Sequence, residues 1–216
     1  MNYFSHYFFD HIPGNHYYNA GLVLPDFARS AEGAKRINTH LEFDPDKQPE
    51  FYNLNQGSKQ HYQRDASFHN SEFFTQNSKL LAELFNTYNF PKEGQRMWFI
   101  EHILLELLLD RALIRRHRDV LDDFYYSLRR SRLKTVIDFL VLSGKDGSGG
   151  FTRFWNGFLE AEYLQYYLVD EKFIYSLNRI FQRARQPELT DVQADIILRI
   201  IGELEGKMYE TAMKGL

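Results

Sequence analysis

The chain has 216 residues, 44% of them apolar and 25% charged, a globular balance that excludes a disordered or fibrous polypeptide. Its formal net charge of -3 offers nucleic acid no basic field, and the absence of cysteine excludes disulfides, thiolate metal sites and cysteine nucleophiles. That composition suits a soluble protein of a reducing cytoplasm, and the length suits a single domain, 1–216.

In chain order, the opening Met1-Asn2-Tyr3-Phe4-Ser5-His6 lacks the basic and apolar regions of a signal peptide. Apolar spacing predicts helix almost throughout, with no alternating strand. The first helix covers Tyr3 to His11 and stops at Pro13-Gly14. The second runs from Asn19 to Ala31, with a kink or break expected at Pro25. Residues Ile37 to Pro49 read as a surface loop.

Helices follow over Glu50–Ser67, Ser71–Asn89, Gly94–His117 and Asp119–Leu142, with Ser71 and Asp119 as N-caps. The segment 143–150 holds four glycines and reads as a flexible linker. Three more helices are expected at Phe151–Val169, Glu171–Arg185 and Thr190–Lys214. Nineteen Phe and fourteen Tyr predict a thick helical core with tyrosines at its wet edge. No run of apolar residues is long enough to span a bilayer.

The segment from Met97 to Ile114 is apolar on every side at about 100° per residue, which marks a buried helix. Set into it are His102, Glu106 and Asp110, four residues apart and therefore in one stripe. Carboxylates on a buried helix require a partner or a cation. A second stripe, His61, Asp65 and His69, has the same spacing. Facing one another, the two stripes would form a helix-bundle metal site of nitrogen and oxygen donors, suited to Mn, Fe, Zn or Mg. The same spacing is also what a solvated helix face shows. Basic runs at 115–118 and 129–134 read either as solvated faces or as a landing patch for an acidic protein.

Several segments share a pattern with a known family. The start Met1 to His6 resembles M-N-F-L-A-H, and Gly21 to Arg29 resembles G-N-L-L-x-D-F-V-R/K. Gly57 to Asp65 resembles G-I-x-x-H-R-x-I-D, and Leu105 to Leu113 resembles L-D-x-x-x-D-H-F-L. In this order they resemble the acyl carrier protein phosphodiesterases, and the chain reads as a divergent member.

The resemblance implies an all-α fold of HD-domain-like type, a compact multi-helix bundle. It also implies a divalent metal, Mn foremost, and hydrolytic removal of 4′-phosphopantetheine from acyl carrier protein. The positions matching the family's metal site are His6, Asp26, His61, Asp65 and Asp110, with Asp26 and Arg111 assigned to catalysis. Three departures accompany the match. Arg111 stands where the family has the histidine of its Asp-His dyad, Tyr62 follows His61 in place of arginine, and Phe68-His69 replaces Thr-Asp. His69 or His102 can replace the lost ligand, or Arg111 can pair with Asp110 or Asp65 and occupy the cation's position. The second outcome is favoured, because position 115 is arginine and offers Arg111 no acid one turn on. The sequence thus fits two readings: a metal-dependent hydrolase of acyl carrier protein or another acidic partner, and a non-catalytic helical protein that retains the fold and the partner surface.

Overall fold

Apolar spacing and caps become helices nearly where the sequence predicts them. The computed structural model describes all residues except Ala34 and Ser148, and contains no strand among the described residues. Its α-helices are α1 (Tyr3–Asp10), α2 (His16–Glu32), α3 (Pro49–His69), α4 (Glu72–Thr87) and α5 (Met97–Arg116). They continue with α6 (Arg118–Arg130), α7 (Leu133–Leu142), α8 (Gly149–Glu160), a 3-10 helix (Tyr163–Leu168), α9 (Asp170–Arg183) and α10 (Asp191–Gly215). The fold is all-α. None of these helices is long and apolar enough to cross a membrane.

Local chemistry explains the ends. Ser71 caps α4 by accepting from the Phe74 N–H, and Thr190 with Gln193 forms a reciprocal capping box at α10. Where one helix was expected over Asp119–Leu142, two form. The break falls at Ser131 and Arg132, whose ψ angles of 117° and 116° are extended. The buried Ser131 hydroxyl turns back to the Ser127 and His16 carbonyls, which competes with helix continuation. Asp119 lies in the first turn of α6 and His117 takes the cap position, so the acid acts on the helix dipole instead.

The described residues form two compact units, Met1–Ala66 with His117–Tyr163, and Ser67–Arg116 with Leu164–Leu216. The glycine-rich segment lies inside the first unit. Its first half is a tight turn: Gly144 takes φ 85°, the Asn38 N–H donates to the Ser143 carbonyl, and Lys145 is buried. The Lys145 ammonium donates to the Gly33 and Lys35 carbonyls, which holds the turn closed. Ser148 lies outside the described residues.

In the first unit, α2 packs on α1, α6 and α8. Its core is aromatic, with Phe27 edge-on or tilted against Tyr3, Phe154, Trp155 and Phe158. Tyrosine is not confined to a wet edge. Tyr7 is wholly buried, and its hydroxyl donates to Asp123 (2.6 Å) and Ser127 (3.2 Å). In the second unit α5 packs on α10 and α4. Leu104, Leu107 and Leu108 share one face of α5, Leu105 and Leu109 lie on another, and all five are buried, as its all-round apolar surface requires.

Helices α2 and α3 approach each other at two glycines. A Cβ on Gly21 would lie 2.5 Å from the Leu54 carbonyl oxygen, and one on Gly57 would lie 2.1 Å from that of Tyr18. Gly206, on the exposed side of α10, meets nothing within 4 Å. Alanine should therefore act with opposite signs at the two positions. Gly206→Ala should raise stability by about 0.5–1 kcal/mol through helix propensity. Gly57→Ala should lower it by about 1–3 kcal/mol through overpacking. Urea unfolding of the two variants measures both, and an unchanged midpoint for Gly57→Ala would refute the close crossing.

Candidate metal centre

The site begins with a proline. Pro25 lies inside α2 and has no N–H, so the Gly21 carbonyl one turn earlier loses its helical donor. The buried Ser58 hydroxyl of α3 donates to that carbonyl at 3.3 Å. The next carbonyl, Leu22, accepts from the His61 Nδ1 at 2.7 Å. A carbonyl can only accept, so Nδ1 carries the proton, and Nε2 is the lone-pair nitrogen of the neutral ring. Two glycines that permit the approach and two side chains that use it thus place His61.

His6 of α1 stacks on His61, with ring centroids 3.8 Å apart and planes 23° apart. It is completely buried, and among the described residues neither of its ring nitrogens has a hydrogen-bond partner. Burial above all, then the neighbouring His61, holds the His6 ring well below its usual pKa, so it stays neutral. The Asp26 Oδ1 lies 3.8 Å from the His61 Nε2, and the Asp26 side chain is 25% exposed. Ligating atoms of His6, Asp26 and His61 all lie within 4.8 Å of one another. Nitrogen and oxygen donors bound to one first-row ion are separated by roughly 3–4 Å, so small side-chain adjustments suffice. A buried imidazole with unsatisfied nitrogens is costly in a protein core, and a cation satisfies it. The residues fit a divalent metal.

Asp65 stands beside this group. Its Oδ1 is 3.9 Å from the His6 Nε2 and accepts the Met1 amine at 2.7 Å. Asp110 is completely buried on α5 and belongs to the second unit.

Arg111 does not take a cation's place beside Asp110 or Asp65. Its Nε donates to Glu205 (3.0 Å), its Nη1 to the Tyr167 carbonyl (2.9 Å) and its Nη2 to Asp170 (2.6 Å), all within the second unit. The guanidinium also lies 5.4 Å from the centre of the Phe173 ring. One residue beyond Asp110 is about 100° around the helix, and on that side α9 and α10 supply the acids. The missing partner at position 115 is thus made good by residues far away in sequence.

The two polar stripes divide differently from the sequence expectation. His61 joins His6 and Asp26, whereas His69 joins His102 and Glu106 in the second unit. Glu106 was visible in its stripe but is no part of the family's matched set. Its four-residue spacing from His102 was the signal. The basic runs are partly engaged by the chain's own acids: Arg115 with Glu205, Arg129 with Glu162 and Lys134 with Asp138.

No family model matches this sequence, and no curated protein or solved structure matches it either. The resemblance to the phosphodiesterases therefore rests on the residues quoted for it.

Arg111 is only 5% exposed, and removing it leaves the mostly covered Glu205 with Arg115 alone and takes from the half-exposed Asp170 its Arg111 partner. Arg111→His should cost about 2–3 kcal/mol, below the 3–5 kcal/mol of a fully buried pair because Asp170 reaches solvent. It should leave bound-metal stoichiometry unchanged. Thermal unfolding and metal analysis of the variant check both, and a gain of one tightly bound ion would refute the assignment of Arg111 to structure.

Proposed function

We propose that this chain is a divalent-metal-dependent phosphodiester hydrolase of the acyl carrier protein phosphodiesterase type. In this reading the fold is HD-domain-like, the metal is Mn, the location is cytoplasmic, and the substrate is an acidic carrier protein bearing 4′-phosphopantetheine. The observation that carries it is the buried, neutral His6 stacked on His61 beside Asp26, three residues that match the family's motifs.

His6 and His61 would hold the ion through nitrogen and Asp26 through oxygen. A divalent metal there supplies positive charge to a phosphoryl oxygen and acidifies water at neutral pH. The Leu22 carbonyl fixes the orientation of the His61 ring, so its ligating nitrogen keeps its direction when substrate arrives. Asp26 is the most accessible of the three, at 25% side-chain exposure against 4% for His61 and none for His6. A phosphodiester therefore approaches from the Asp26 side, where the carboxylate can also accept a proton from water. The non-catalytic reading draws on one observation, the use of Arg111 as a structural ion-pair centre where the family places a dyad histidine.

Mn titration of metal-stripped protein, paired with a mass assay on holo acyl carrier protein, separates the two. The hydrolase reading expects Mn binding that weakens more than about 100-fold in His61→Ala and Asp26→Asn, with loss of the phosphopantetheine mass. Mn binding untouched by both substitutions would refute the site. Binding without turnover would establish the non-catalytic reading.

A further inference from the structure

The second unit contains a donor set that the proposed function does not use. The chain leaves α3 at His69, and Ser71 caps α4 two residues later. This tight turn lays Phe74 against the His69 ring, with centroids 5.0 Å apart and planes 13° apart. The same Phe74 meets His102 edge-on at 5.4 Å. His102 and Glu106 are one turn apart on α5, and the His102 Nε2 lies 3.0 Å from the Glu106 Oε1. The His69 Nε2 lies 3.6 Å from the same oxygen, and the two imidazole centroids are 4.8 Å apart.

We propose that His69, His102 and Glu106 form a second metal site, for Zn²⁺ or a similar late first-row divalent ion. Two imidazoles and one carboxylate with ligating atoms within 4.8 Å are the donor set that zinc takes with one position open. Two nitrogens disfavour Mg²⁺ and Ca²⁺, which bind oxygen.

Phe74 forms an apolar wall for both rings, which restricts their orientation before any ion arrives. His69 and His102 are part-exposed, at 29% and 34%, so an ion from solvent can reach the donors. The site shares no residue with His6, Asp26 and His61. His69 stands where the phosphodiesterase pattern has aspartate and His102 lies outside the matched segments, so both imidazoles are this chain's own departures.

The test uses full-length, metal-stripped protein titrated with Zn²⁺ by calorimetry and with Co²⁺ by visible absorption. Wild type, His61→Ala, His69→Ala and His102→Ala are compared, with circular dichroism to confirm folding. We expect one Zn²⁺ to remain in His61→Ala, with its affinity lowered more than about 100-fold by either His69→Ala or His102→Ala. Zn²⁺ binding that survives both of the latter substitutions, or a His61→Ala protein that binds none, overturns the proposal. The His61→Ala background also separates this site from the first, since failure of the hydrolase site leaves its binding intact.

Should a histidine variant not fold, the wild-type protein decides. Diethylpyrocarbonate labelling of His69 and His102, read by peptide mass spectrometry, should fall at least tenfold when Zn²⁺ is present. Equal labelling with and without Zn²⁺ overturns the proposal.

Discussion

The grip of α3 on α2, at the Gly21 carbonyl that Pro25 leaves without its helical donor and at the neighbouring Leu22 carbonyl, is the contact on which the first unit's chemistry depends. A buried carbonyl without a donor costs about 1–3 kcal/mol, and Gly21 would carry that penalty if α3 packed against α2 without the Ser58 hydroxyl. Ser58 removes it, and His61 adds a second cross-helix bond at Leu22. Neither bond can form unless the backbones come close, and Gly21 and Gly57 are the positions at which any side chain would prevent it. The bond that fastens α3 to α2 is also the one that selects the His61 tautomer. Packing and ligand geometry are therefore one constraint.

Helix α5 shows how a buried polar group finds its partners. Its leucines leave no solvent face for Arg111, so the guanidinium needs acceptors from other elements. Glu205 of α10, Asp170 at the start of α9 and the Tyr167 carbonyl supply them. These two ion pairs and the carbonyl bond tie three segments of the second unit to α5, although Asp170 is half-exposed and its share is reduced by solvent. The arginine that departs from the family motif is thus spent on architecture.

Each unit gathers two imidazoles and a carboxylate, but by different routes. In the first, the donors come from α1, α2 and α3, with His6 wholly buried and neutral. In the second, a single helix turn sets His102 against Glu106, and a capped turn adds His69. The first arrangement excludes water from most of its donors, whereas the second keeps its histidines partly wet.

By itself the sequence determined the all-helical class, the buried character of α5, the Ser71 cap and the four-residue stripes. Each is written in local spacing, because a helix repeats every 3.6 residues and a cap needs only its own first turn. It also marked His6, Asp26 and His61, through motif positions whose physical sense, a missing proline donor and two glycines without side chains, appears only where helices meet. Tertiary structure alone decided the break at Ser131, the fate of Arg111 and the division of the two stripes between units. Ser131 answers to the His16 carbonyl, 115 residues earlier, and Arg111 to Glu205, 94 residues later. No local periodicity encodes such distances. A polar side chain in a packed interior goes to whichever partner the fold brings within about 3 Å, and that partner is set by the whole chain.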